Sequence, residues 1–376
     1  MKWIDTQQEF DAWIATVASA RTLAIDTEAD SLHSYFDKVC LVQMSIPGHD
    51  DVLIDPLAGI DLAPLGPILA NPSITKIFHG GDYDLRILNR DFGFEVNNLI
   101  DTMICAQLLG YEAFGLGALL LRHFKIEVNK AHQRADWAKR PLTRELREYA
   151  ATDTRHLIEL AAILRSELES LGRWEWAVEE FERLGTIRYS PAEPDEEGWR
   201  KVKGSGRLDR RGMAVLAQLH AWRDVQARKA DRPAFKVLGT EAILSISTRR
   251  PKTEEELRQT PGMAAWQSRK YAPEILPMIE RALALPESEL PERKAAKSWQ
   301  RDRELEKMID KLKDIRDRIA ADLKIDSSLL APRHVLTAIA TQRPTTPAEL
   351  ESVPNLRRWQ RSLLGEAILL AASPPR

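Results

Sequence analysis

The stretch Thr22-Leu-Ala-Ile-Asp26-Thr-Glu28 is a short apolar run that ends in two carboxylates spaced i and i+2. On a β-strand successive side chains alternate faces, so Asp26 and Glu28 project to the same side. Like charges side by side repel and gain nothing from burial. One task that needs them together is holding a divalent cation, which takes carboxylate oxygens as hard ligands. The plain alternative is that Glu28 is the first solvated residue after an edge strand. Two later stretches carry acids of similar promise. His79-Gly-Gly-Asp-Tyr-Asp84-Leu85 lies at a strand-to-helix junction, with Asp82 as N-cap and Asp84 in the first helical turn. There Asp84 could simply complement the helix dipole. Tyr149-Ala-Ala-Thr-Asp153 places a phenol and an acid on one helical face at i, i+4, where a bland Tyr–Asp hydrogen bond is also possible.

The elements around these residues read as an α/β fold. A helix is expected at 7–18, then strands at 22–26, 39–46 and 51–54, with Pro47-Gly48 turning the second into the third. Three strands in quick succession suggest an antiparallel meander. Helices are expected at 61–70 and 82–92, strands at 75–78 and 96–100, and then helices at 102–109, 115–124, 143–170 and 173–184. A mixed sheet flanked by helices follows. In the long helix, Leu142, Leu146, Ala150, Leu157 and Leu160 mark the buried stripe, and Thr143 is the expected N-cap.

With 376 residues the chain has room for two or three domains, and 44% apolar with 29% charged residues describe a soluble globular protein. No run of about 18 apolar residues occurs, so no membrane span is expected. The acidic, amphipathic start lacks the apolar segment of a signal peptide. Cys40 and Cys105 sit in apolar segments without metal-ligand spacing, as expected of a reduced, cytoplasmic protein. Phe114-Gly-Leu-Gly117 lacks the third glycine of a dinucleotide turn and follows no clear strand, so no nucleotide cofactor is expected.

The net charge of −2 hides a split. Residues 201–376 hold 34 Lys and Arg against 23 Asp and Glu, whereas residues 1–200 hold 20 against 33. A basic half attracts nucleic acid through phosphate neutralisation, although solvated faces also vary in charge from domain to domain. Pro- and acid-rich residues 189–198 read as a linker. Beyond it lies an internal repeat with a displacement of 93 residues. Arg223-Asp224 falls on Arg316-Asp317, Arg250-Pro251 on Arg343-Pro344, Glu256-Leu257 on Glu349-Leu350, and Trp266-Gln267 on Trp359-Gln360. Two copies of one helical module follow. Thr253-x-x-Glu256 and Thr346-x-x-Glu349 are capping boxes that open equivalent helices. Trp266 and Trp359 are read as core aromatics rather than base-stacking platforms. Lys201, Lys203, Arg207, Arg210, Arg211, Arg249, Arg250, Lys252, Arg357, Arg358 and Arg361 are candidates for phosphate contact, to which the fold would have to give a common patch.

Asp26-x-Glu28, His79-x4-Asp84-Leu85 and Tyr149-x3-Asp153, in that order, resemble the three exonuclease motifs of the DEDD superfamily, tyrosine subclass. The phrases 101–109 (DTMICAQLL) and 136–153 (DWAKRPLTRELREYAATD), with the tandem modules, resemble bacterial ribonuclease D and its paired HRDC domains. The likeness covers the whole chain. One departure is Gly80, where many relatives have Asn. The resemblance implies a ribonuclease H-like catalytic domain over 1–188, a linker over 189–206, a first HRDC-like domain over 207–285, a connector over 286–302 and a second HRDC-like domain over 303–376. It implies a metal-dependent 3′→5′ exoribonuclease that trims 3′ extensions of tRNA precursors to release 5′-mononucleotides. Asp26 would bridge two Mg²⁺ or Mn²⁺ ions, with Glu28 and Asp153 completing the first and Asp84 reaching the second through water. Tyr149 would orient the attacking water. Four carboxylates suit such a pair of ions chemically. His79, Gln43, Lys201, Lys203 and Arg207 are expected substrate contacts, and RNA with a free 3′ end the partner, with no obligate protein partner. A DNA exonuclease of proofreading or repair type, and an RNA-binding adaptor with a silent site, are the rival readings.

Overall fold

The computed structural model describes residues 1–191, 193, 195–293 and 302–372. Much of the expected connector 286–302, two positions of the linker and the last four residues of the second module lie outside the described residues. The chain forms two compact units. One comprises residues 1–29, 39–189 and 300–376, the other 30–38 and 190–299.

In the first unit, β1 (Lys2–Ile4), α1 (Gln7–Val17), β2 (Thr22–Ala29), β3 (Val39–Ser45) and β4 (Val52–Ile54) come first. They are followed by α2 (Leu65–Ala70), β5 (Thr75–Phe78), α3 (Asp82–Phe92) and β6 (Leu99–Asp101). The six strands make one sheet in the order β1-β4-β3-β2-β5-β6. The meander is antiparallel, as expected, and β1, β5 and β6 join parallel to their neighbours. β2 is therefore central rather than an edge, and every residue of β3 is buried, as in a sheet covered on both faces.

Helices α4 (Thr102–Leu108), α5 (Leu116–Phe124), α6 (Arg144–Arg155), α7 (Leu157–Ser170) and α8 (Trp174–Gly185) complete the part of this unit built on the sheet. The single helix expected over 143–170 is two, broken at His156. No Pro or Gly marks the break. Flanking side chains are tied to the sheet instead: Thr154 Oγ1 lies 2.8 Å from Ser45 Oγ, and Arg155 Nε is 2.6 Å from Asp51. Tertiary anchoring overrides the continuous helical pattern here.

The second unit holds α9 (Arg210–Lys229), α10 (Ala234–Val237), α11 (Thr240–Arg249), α12 (Glu254–Arg258) and α13 (Ala265–Ala284) around their own core. Residues 30–38 belong to it. Asp231 accepts hydrogen bonds from the backbone N–H of Tyr35 and Phe36, and Tyr35 donates its O–H to Asp224.

The second module, α14 (Arg303–Leu323), α15 (Ser327–Leu330), α16 (Arg333–Gln342), α17 (Pro347–Glu351) and α18 (Arg358–Ala372), repeats that order and packs within the first unit. Its core is continuous with that of the sheet. Trp359 stacks on Trp176 of α8, with ring centroids 5.1 Å apart. The Glu179 carboxylate of α8 accepts from the N–H of Arg358 and of Trp359, capping α18 from outside the module. The Arg173 guanidinium, buried, donates to Leu108 O and Leu323 O and so joins the ends of α4 and α14.

Candidate active site

Two strands, a turn and a helix bring the acids together. β5 pairs with β2 only over Thr22–Ala24, so Asp26, Thr27 and Glu28 run on past it with a free edge. After Phe78 the chain turns at Gly80, whose φ of +71° suits Gly and is tolerated by Asn, and enters α3. That turn is pinned by Asp101, which accepts from the N–H groups of Gly80, Gly81, Met103 and Ile104. Helix α3 begins at Asp82 with Gly81 as its N-cap, so Asp82 does not cap it but pairs with Arg86. Asp84 then falls beside the free edge of β2. Its Oδ1 accepts from Thr27 N–H at 3.1 Å and, in a shorter bond, from the Thr27 hydroxyl.

From the opposite side α6 supplies Asp153 and Tyr149. One carboxylate oxygen each from Asp26, Glu28 and Asp153 lie within 4.8 Å of one another. Asp84, outside this group of three, is buried next to it. No Lys or Arg pairs with any of the four among the described residues. Burial, then mutual repulsion, pushes Asp26 and Glu28 well above the usual carboxylate range. Burial raises Asp153 to about 7 with help from Asp84, and raises Asp84 to about 6 against the hydrogen bonds from Thr27. Tyr149 is held well above its ordinary value by burial and by Asp153, Glu28 and Asp26, so its hydroxyl stays protonated.

Gln43 sits directly across from Asp26 in the β2–β3 register, fully buried, and neither amide atom has a hydrogen-bond partner among the described residues. A buried amide costs free energy unless something completes it. Hard oxygen donors without a counter-charge, beside an uncompleted amide, fit a divalent cation and its water shell.

His79 Nδ1 lies 2.9 Å from Thr102 Oγ1, so the ring is engaged at the start of α4. Lys201, Lys203 and Arg207 belong to the second unit, where Lys201 pairs with Asp195 at 2.6 Å. There Lys203 and Arg207 line a cavity of about 690 Å³ with Thr248 and Arg250. Several basic candidates are already paired: Arg210 and Arg211 with Glu287, Arg250 with Asp209, Arg357 with Glu180, Arg358 with Glu179 and Glu182, and Arg361 with Glu351.

Some supporting residues carried no signal of their own in the sequence. Thr27 hides inside the acidic motif. Gln133 hydrogen-bonds Tyr149, and the rings of His132 and Trp137 lie 5.7 and 6.1 Å from it. Arg140 fixes the segment before α6 to the sheet through a two-pronged pair with Asp55, both contacts 2.6 Å, and bonds to Cys40 O and Trp137 O.

Comparison with known proteins agrees with this geometry. The profile of a 3′–5′ exonuclease family matches residues 1–169, and the HRDC domain profile matches residues 213–279 and 306–371. The chain is 30% identical to ribonuclease D of Nitrobacter hamburgensis over 98% of this chain and 94% of that one. A crystal structure of a Bifidobacterium adolescentis protein superposes with a TM-score of 0.84 at 28% identity, covering 99% and 97% of the two chains. Escherichia coli RNase D, described as an exoribonuclease involved in structured RNA processing, gives 0.70 at 30% identity over 99% of each chain. No helix among the described residues is long and apolar enough to cross a membrane. With its acids gathered from β2, α3 and α6 and its length matched almost end to end, the chain belongs to the ribonuclease D family of metal-dependent 3′–5′ exoribonucleases.

Proposed function

We propose that this protein shortens RNA from a free 3′ end, one 5′-mononucleotide at a time, and that 3′ extensions of tRNA precursors are among its substrates. The observation that carries the reading is the group of half-buried carboxylates, Asp26, Glu28 and Asp153, gathered with no Lys or Arg paired to them among the described residues. We assign these three and Asp84 to two divalent ions, Mg²⁺ or Mn²⁺. When bound, such ions activate a water and offset charge on the departing 3′ oxygen. Asp26, Glu28 and Asp153 would supply direct carboxylate oxygens, and Asp84, with one oxygen committed to Thr27, would supply its other.

Tyr149, protonated throughout the working range, acts as a hydrogen-bonding guide for the attacking water and not as its base. Gln133, His132 and Trp137 hold the phenol in place. Gln43, buried beside Asp26, is assigned to substrate or to site water, and His79 to substrate at the rim. Tyr149→Phe should lower kcat by about a hundredfold, the cost of a misaligned nucleophile, with divalent-ion affinity unchanged by calorimetry. Unaltered turnover would leave Tyr149 a packing residue only.

The test of the function is a time course on 3′-extended, tRNA-like RNA labelled at its 5′ end, with Mg²⁺, Mn²⁺ or chelator, beside DNA of the same sequence. A metal-dependent ladder shortening from the 3′ end, faster on RNA, is expected. Faster shortening of DNA would overturn the substrate, and binding without shortening would overturn the activity.

A further inference from the structure

The repeat lets two equivalent tryptophans be compared in one molecule. Each is the second residue of the long last helix of its module, Trp266 in α13 and Trp359 in α18. The glutamine that follows does the same work in both. Gln267 donates to Val237 O and accepts from Ala264 N–H, while Gln360 donates to Leu329 O and accepts from Arg357 N–H. The backbone frames correspond, yet the indoles have opposite fates. Trp359 is 5% exposed, stacked on Trp176, with its Nε1 donating to Glu180. Trp266 is 54% exposed, which corrects its expected place in a core.

The neighbours have diverged with them. Arg357 and Arg358, which pair with the acids of α8, are replaced in the first copy by Ala264 and Ala265. The first copy therefore lacks the charges that dock such an acidic helix. Instead it carries Arg269 and Lys270, three and four residues beyond Trp266 and on its face of the helix, where the second copy has Ser362 and Leu363. Both cations are exposed, and neither has an ion pair among the described residues. Behind the indole stands an aromatic row that the second copy replaces with Leu364 and Ile315. Tyr271 lies 6.2 Å from Trp266 and Trp222 lies 5.1 Å from Tyr271, with Trp222 Nε1 bonded to Glu274.

We infer that the copies have divided their labour. The second is a docking module, and the first uses Trp266, flanked by Arg269 and Lys270, to stack an unpaired base of RNA. An exposed, braced indole with adjacent cations matches a chain that alternates π-faces with phosphates. A duplex keeps its bases stacked inside and offers no such face, so single strands are the ligand, with little sequence preference. This rests on the reading of RNA as substrate, but it is tested without hydrolysis.

The full-length protein is titrated in chelator with a labelled, unstructured 20-nucleotide RNA and with an RNA duplex. Trp266→Ala should weaken single-strand binding about tenfold, as for one lost base stack, and Trp266→Phe should restore most of it. Lys270→Glu should weaken binding and flatten its salt dependence. RNA should also quench the fluorescence of the parent more than that of Trp266→Phe, a difference that isolates one of ten tryptophans. Unchanged affinity in folded Trp266→Ala would overturn the site. So would unchanged RNA affinity with an altered sedimentation profile, which would make this face a protein contact. Loss of exonuclease activity on RNA leaves these readouts intact, so the two readings fail separately.

Discussion

Asp26→Asn should lower kcat by on the order of a thousandfold or more, about 4 kcal/mol of transition-state stabilisation, and yet raise the melting temperature of the metal-free protein at pH 8. The two effects share a cause. Burial and the neighbouring acids lift the carboxyl groups of Asp26, Glu28, Asp84 and Asp153 above their values in the unfolded chain. A group raised on folding contributes stability that is full below its unfolded pKa, near 4, and lost as pH rises through its folded value. For Asp84 and Asp153 those folded values are about 6 and about 7. The metal-free protein should thus lose stability between roughly pH 4 and 8, and divalent ion should restore it. Asparagine keeps the shape and removes one of the repelling charges, so the variant gains about 1 kcal/mol at pH 8, roughly 2–4 °C. Thermal melts at pH 5 and 8, with and without Mg²⁺, are the measurement. A variant that melts below the parent at pH 8 would mean that Asp26 serves the fold more than the ion.

Gly110→Ala should detach the second module from the catalytic half. Gly110 follows α4 with φ +81°, and a Cβ added there would run into the Lys324 carbonyl at the end of α14. Both partners are backbone, so no side-chain rotation relieves the clash, and the left-handed φ adds strain for alanine. The same seam carries the Arg173 bridge, the Trp176–Trp359 stack and the Glu179 cap. Opening it leaves a buried cation and two indoles without their partners. A loss of about 3 kcal/mol or more is expected, read as a lowered melting temperature and a red-shifted tryptophan emission. Melting within a degree of the parent would show that the seam yields elsewhere.

The acids could be read from the chain because each sits in a local pattern: alternation in a strand for Asp26 and Glu28, a first helical turn for Asp84, i, i+4 for Tyr149 and Asp153. The order of the strands from β2 to β6 and of the helices between them followed from the same periodicities, whereas β1, three residues long, was too short to show one. What could not be read depends on contacts far apart in sequence. Thr27 meets Asp84 across 57 residues, and Arg140 meets Asp55 across 85. The break at His156 comes from Ser45 and Asp51, not from a helix-breaking residue. The fate of Trp266 was hidden because it turns on what α8 offers to one copy of the repeat. Likewise, adjacency along the chain does not reveal that residues 300–376 pack with residues 1–29 and 39–189.

That discontinuity sets a timetable for the newborn chain. The ribosome delivers Trp176 and Glu179 at least 180 residues ahead of Trp359, the group that covers them. At about 5–20 residues per second, the α8 face waits roughly 10–40 s for its lid. The first unit reaches its final stability only when the last helix has left the exit tunnel. A product cut short before α18 would leave the Trp176 indole bare beside three glutamates, Glu179, Glu180 and Glu182.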